Sequence, residues 1–275
     1  MHVRIWGADD APLLVMLHGW GDVSASWQFV VDALACEWRI VAPDWRGFGL
    51  SQANGDSYWF PDYIADLEAL LDHFSPDQPV RLVAHSLGGN VASLYAGIRP
   101  ERVERLVNLE GTGLPPHSAE EAPSRYVQWL DQLRGKAPGF RSYPDYSSFA
   151  ARLHKDNPRL STQRAAFLAR HMGEEAIDGS IHLAADPHHR WTNPVLYRVE
   201  ESLAIWRKVT APVLLITGAH SFLFSRFFSP DSYEYRRRIE CFTNIREVML
   251  EHSGHNMHHD EPEAVAGLIE EFMPS

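Results

Sequence analysis

Apolar residues along this chain fall into two alternating patterns. Short unbroken apolar runs recur: Leu13 to Leu17, Arg39 to Ala42, "PVRLVAH", "VERLVNLEG" and Ala211 to Gly218. Between them, apolar residues fall three and four apart: Trp27, Val30, Val31 and Leu34 in one segment, then Tyr63, Leu67, Leu70, Leu71 and Phe74 in the next. Short apolar runs bounded by turn residues read as buried strands, and the wider spacing marks one face of a helix. Helices are expected from about Ser26 to Ala35, over "FPDYIADLEALLDHF" and over "GGNVASLYAGIRP". "EPEAVAGLIEEFM" reads as the closing helix. Pro61 and Pro262 suit first turns of their helices, where no N–H is needed. Strands alternating with helices of this length make an α/β fold. Its central sheet is mostly parallel, covered by helices on both faces and joined by right-handed crossovers.

The rhythm stops after residue 111. From Thr112 to about Lys208 the chain offers amphipathic helical patches ("PSRYVQWLDQLR", "LSTQRAAFLARHM", "NPVLYRVEESLAIWRKV") and no convincing buried strand. The sheet pattern resumes with "APVLLITG" and with Asn244 to His255. Residues 1–111 and 208–275 therefore read as a core, and 112–207 as a helical insertion over the sheet's carboxyl edge.

Composition narrows the functions. The chain has 275 residues, 45% of them hydrophobic, enough for one sizeable core. Its formal charge of -11 opposes nonspecific binding to nucleic acid or to an anionic membrane. Cys36 and Cys241 make neither a disulfide scaffold nor a thiolate metal site. No signal peptide and no run of about 18 apolar residues is visible, so the expected location is cytoplasmic. The expected partner is a small-molecule substrate, and the sequence leaves monomer and homodimer equally open.

The strand ending "VRLVAH" gives way to a helix within a few residues, and Ser86 occupies the switch. Such a strand–turn–helix lifts a hydroxyl above the sheet's edge, over the free N–H groups of a helix N-terminus. Ala84 and Gly88 supply the small flanking residues that crowding there requires. The blander alternative is a serine N-cap before an ordinary helix. "HGWG" at 18–21 follows the first central strand, and its glycines allow a loop whose N–H groups turn inward. The N–H groups of Trp20 and Leu87 are the expected oxyanion donors; His18 is expected to order this loop. A base should come late in the chain, and "EHSGHNMHHDEP" offers His252, His255, His258 and His259. His255 follows the end of a strand and is best placed to take the Ser86 proton. A metal reading of this cluster is disfavoured, because the spacing is not that of HExxH on a helix. No cofactor is expected, and GxGxxG is absent after the first strand.

With these motifs in hand, the chain resembles the α/β-hydrolase fold superfamily in its cap-bearing serine hydrolase (esterase) branch. "HGWG", "VAPDWRGFGLS", "VAHSLGG" and "SGHNMHHDEPEAV" carry the resemblance, which covers nearly the whole chain and is weakest through the insertion. It implies a nucleophilic Ser86, a general base His255, oxyanion donors at Trp20 and Leu87, and a cap over the pocket. It also implies an acid that orients His255. The usual position, three residues after the glycine of "LLITG", holds Ser221, and no acid follows until Asp231. A second position known in the superfamily lies at the end of the strand after the nucleophile helix, where this chain has Glu110. Glu110 is the expected third member, with Asp231 the alternative. Asp44 and Arg46 in "PDWRGFG" are expected to pin their loop.

A serine at the elbow, where dehalogenases and epoxide hydrolases carry aspartate, favours acyl chemistry at carbonyls. Carboxylic ester hydrolysis is the expected reaction. Thioesters, lactones, amides and carbon–carbon cleavage of a vinylogous diketone follow the same logic. A cofactor-free oxygenase or lyase and a noncatalytic binding protein stand as the other classes. Phe140, Tyr143, Tyr146, Phe149, Trp191 and Trp206 of the cap, with Phe222, Leu223 and Phe224 after the late strand, are expected to line an apolar pocket. Arg125, Arg134, Arg141 and Arg190 are the cap cations that would select a carboxylate-bearing substrate; a solvated face is the alternative. His188 and His189 are assigned equally to pocket and surface.

Overall fold

The computed structural model describes residues 1–54, 58–135, 137, 139–227 and 229–273. In chain order its strands are β1 (Val3–Trp6), β2 (Leu13–Leu17), β3 (Arg39–Pro43), β4 (Val80–His85), β5 (Val103–Leu109), β6 (Gly173–Glu175), β7 (Ile181–Leu183), β8 (Val213–Gly218) and β9 (Ile245–Leu250). The helices before the insertion are α1 (Gln28–Ala33), α2 (Phe60–Phe74) and α3 (Leu87–Ile98). The insertion holds α4 (Ala122–Leu133), α5 (Tyr146–Asp156), α6 (Thr162–Met172) and α7 (Val199–Trp206). After it come α8 (Phe222–Arg226), α9 (Tyr233–Ile239), α10 (Met257–Asp260) and α11 (Pro262–Phe272).

The main sheet runs β1-β3-β2-β4-β5-β8-β9. Every pairing is parallel except β1 with β3. Side chains of a strand alternate between faces. In β2, Val15 and Leu17 therefore enter the core under α2, α3 and α7, while Leu14 and Met16 enter the core under α1 and α11. Both faces are dry, which is why these strands are continuous apolar runs. At the start of α2 the Asp62 carboxylate reaches back to accept the N–H of Trp59 at 3.0 Å, fixing the entry of the chain.

Several expectations are corrected in detail. β1 was not anticipated: four residues beside a charged start carry too little pattern. The insertion is helical but also contains the β6–β7 hairpin, whose three-residue strands pair antiparallel and are too short to show a period. The expected helix over "NPVLYRVEESLAIWRKV" forms only from Val199 to Trp206; within Asn244 to His255 the strand covers Ile245 to Leu250, and His255 follows its end. α7 packs Val199, Leu203 and Trp206 into the core beside α3. Among the described residues no helix is long and apolar enough to cross a membrane.

Candidate active site

β4, β5, β8 and β9 lie side by side, and the loops leaving their carboxyl ends converge. Ser86 caps β4 with φ 51 and ψ -110, in the left-handed half of backbone space that a residue with a Cβ avoids. Its N–H donates to the Leu109 carbonyl at 2.8 Å and its carbonyl accepts from Asn90 at 2.9 Å, so the turn is held from both sides. Close packing explains the small residues around it. A Cβ on Gly88 would stand 2.5 Å from the Leu17 carbonyl oxygen, and one on Gly19 would stand 2.7 Å from His85 Nδ1 and 3.2 Å from Ser86 Cβ. Ser86→Gly is therefore expected to raise the unfolding free energy by about 1 kcal/mol relative to Ser86→Ala, by relieving the strained φ. Urea denaturation of the two variants checks this; equal stability would mean that the turn stores no strain.

The three residues of the expected relay meet in one hydrogen-bonded line. His255 Nε2 lies 3.0 Å from Ser86 Oγ, and His255 Nδ1 lies 2.6 Å from Glu110 Oε2. A carboxylate only accepts, so Nδ1 carries the proton and Nε2 is free to accept from the serine hydroxyl. Glu110, only 3% exposed, also adopts a positive φ of 56 at the end of β5. Its Oε1 accepts the Gly218 N–H at 2.7 Å, and its Oε2 accepts the Ser221 hydroxyl at 2.6 Å. The residue at the superfamily's usual acid position has thus become a hydrogen-bond donor that holds the acid arriving from β5. Asp231 is exposed between α8 and α9 and does not join this group.

Leu87 is the first residue of α3, where a helix leaves its N–H groups without intrahelical partners. Neither its N–H nor that of Trp20 is used in a turn or cap among the described residues. Trp20 follows Gly19, which packs against Ser86, and lines the same cavity as Ser86 and Leu87. His18 orders the loop as expected: its Nδ1–H donates to the Gly19 carbonyl at 2.7 Å and its Nε2 accepts the Trp45 N–H at 2.9 Å. Asp44 accepts the N–H groups of Ser24 and Leu50, and Arg46 clasps Asp66 with two hydrogen bonds.

Sequence reasoning missed the layer behind the histidine. His85 Nε2–H donates to the carbonyl of His255 at 2.8 Å, tying the base's own backbone to the elbow. Deeper still, Asp22 accepts from Ser26 at 2.9 Å and from His258 at 3.1 Å, with His259 Nε2 at 3.6 Å. These three side chains are the group among the described residues whose ligand atoms, within 4.8 Å of one another, come near a metal-holding arrangement. The buried Asp22–His258 hydrogen bond already accounts for two of them. Burial drives His85 well below the usual histidine range, helped by His258 and His255, and burial with His259 pushes His258 down to about 3. Both stay neutral in the fold, whereas the unfolded chain takes up protons below about pH 6.5. The unfolded state then binds more protons, so stability is full above that pH and is lost as pH falls toward 3. The slope reaches about 1.4 kcal/mol per pH unit for each histidine. Urea denaturation at about pH 7.5 and pH 5.5 should show stability falling by about 3 kcal/mol; a flat profile would mean that the cluster ionises while folded.

Beside Ser86 and Leu87 opens a cavity of about 350 Å³ walled by Trp20, Tyr58, Trp59, Phe60, Tyr63 and Trp191. Its aromatic lining therefore comes chiefly from the core segment leading into α2. Of the expected cap aromatics only Trp191 lines it. Tyr143, Tyr146 and Phe149 pack in a separate apolar cluster that joins α5 and α6 to Val23, Ala25 and Phe29, and Trp206 stacks on Phe242 under the sheet. Phe140 packs on the outside of Trp20, and Phe224 against Tyr235. Phe222 stays near the site, its ring 4.7 Å from that of His255. These segments face inward in sequence pattern, and what they face is the Val23–Phe29 segment and not the cavity. His189 lines the cavity, stacked between Phe48 and Tyr58, whereas His188 bonds to Asp186.

A serine hydrolase-like protein of Danio rerio is 30% identical over 98% of this chain and 84% of its own length. Epoxide hydrolase 4 of Mus musculus is 26% identical over 99% of this chain and 76% of its own. Among solved structures, the thioesterase domain from the curacin biosynthetic pathway superposes with a TM-score of 0.83 at 26% identity, covering 97% of this chain and 93% of that one. Fold and relatives together support a hydrolase-type enzyme. The sequence profile described as the alpha/beta hydrolase fold matches residues 12–262, and the chain belongs to that family.

Proposed function

We propose that this protein hydrolyses carboxylic esters of small to medium, apolar or aromatic substrates through an acyl-enzyme on Ser86. The observation that carries the reading is the line Ser86–His255–Glu110 at the head of a strained turn. In the first half-reaction Ser86 Oγ attacks the ester carbonyl while His255 Nε2 takes its proton. The tetrahedral oxyanion is held by the N–H groups of Trp20 and Leu87, and the loss of one such donor costs about 3 kcal/mol in the transition state. His255 then protonates the departing alcohol. In the second half His255 takes a proton from water, which attacks the acyl ester and releases the acid. Glu110 keeps Nδ1 protonated and stabilises the imidazolium in both halves. The chemistry asks for no cofactor. A cavity of about 350 Å³ with aromatic walls suits an acyl group of modest size. Residues 112–207 act as the cap in this reading, with α7, packed on α3, as its anchored end.

The likeness to a thioesterase domain favours thioesters as a second substrate class, cleaved by the same steps. Rapid mixing with p-nitrophenyl butyrate tests the main reading. It predicts a burst of p-nitrophenolate equal to the enzyme present. Absence of a burst, with oxygen uptake or carbon–carbon cleavage on other substrates, would replace ester hydrolysis by one of those reactions.

A further inference from the structure

The cavity beside Ser86 has a chemical bias that the hydrolytic machinery does not explain. Three of the four cap arginines are committed elsewhere. Arg190 lies over the Phe140 ring and donates to the Gly139 carbonyl at 3.0 Å. Arg141 lies over Tyr143, and Arg134 stands in solvent beside Asp131. Arg125 alone of the four enters the wall of the Ser86 cavity. Its Nε and Nη2 donate to the Asn193 carbonyl at 3.2 and 2.9 Å, which fixes the guanidinium plane and leaves Nη1 uncommitted. Glu121, one helical turn earlier, makes its hydrogen bonds to His117 and to the Ser118 N–H and not to Arg125. No ion pair forms at Arg125 among the described residues.

An oriented cation in an aromatic-walled cavity describes a receptor for a small planar anion. We infer that the part of the substrate filling this cavity ends in a carboxylate held by Arg125. The inference builds on the ester-hydrolase reading and names its substrate class: an apolar spacer between the scissile carbonyl and a terminal carboxylate. One guanidinium matches one carboxylate charge; a phosphate monoester would bring about twice that. The chain's net charge of -11 repels anions at long range, so selectivity arises from the contact in the cavity and not from steering.

Calorimetry on the full-length Ser86→Ala protein tests this without requiring any turnover. The probes are glutaric acid monoanilide and pentanoic acid anilide, alike except for the terminal carboxylate. The acid is expected to bind about tenfold more tightly than its neutral twin, as a charge-assisted contact in a partly dry site provides. Arg125→Gln in the same background is expected to collapse that ratio to about one, and Arg125→Lys to leave part of it. Equal binding of the two anilides, or no binding of the acid, would overturn the inference. So would an Arg125→Gln protein that binds both more weakly at an unchanged ratio, the mark of a merely structural arginine. Because binding needs no acyl transfer, this result stands apart from the fate of the ester-hydrolase proposal.

Discussion

Glu110→Gln is expected to slow acylation of Ser86 by a p-nitrophenyl ester about a thousandfold while the protein remains folded. The reason is tautomeric. The glutamine oxygen can still accept the Gly218 N–H, which leaves its amide NH₂ facing His255 Nδ1 and Ser221 Oγ. Two N–H donors cannot face each other, so His255 shifts its proton to Nε2 and loses the lone pair that must take the serine proton. Asp231→Asn changes an exposed residue outside the relay and is expected to leave the rate within about twofold of wild type. Single-turnover kinetics on the three proteins separate the possibilities. A folded Glu110→Gln protein near the wild-type rate would dismiss Glu110 as the orienting acid.

Ser86→Ala is expected to have the largest effect, a fall in kcat of about 10⁶, because no other oxygen occupies the elbow to form the covalent intermediate. Binding of substrate-like ligands should persist, since the cavity walls and the two proposed oxyanion donors are untouched. Combining Ser86→Ala with Glu110→Gln should add almost nothing to the loss, because residues acting as a unit are not additive. A double variant much slower than Ser86→Ala would show that Glu110 contributes by a route independent of the nucleophile. Steady-state kinetics and calorimetry on the same preparations give both readouts.

The features legible in the sequence were those with a local cause. "VAHSLGG" announces a strand, a crowded turn and a helix within one short stretch, so the position of Ser86 followed from steric need. Glu110 was legible only through resemblance, because nothing local to "NLEGTG" says that its carboxylate meets a histidine from the far end of the chain. The structure supplies what sequence could not: Ser221 stands at the expected acid position and donates to that carboxylate. His85 was overlooked for a related reason. Its partner is a backbone carbonyl on another loop, and carbonyls leave no signature in sequence. The cap aromatics misled because periodicity reports that a face is buried, not what buries it. Phe149 and its neighbours pack on Val23, Ala25 and Phe29, while the cavity is walled from the start of α2 and the residues just before it.

The central claim is that catalysis passes through a covalent ester on Ser86. Acid quenching during steady-state turnover of p-nitrophenyl butyrate, followed by peptide mass mapping, tests it most directly. A butyryl adduct is expected on the peptide containing Ser86, present in wild type and absent in Ser86→Ala. Turnover that depends on Ser86 but leaves no adduct there at any quench time, or an adduct on another residue, would contradict it.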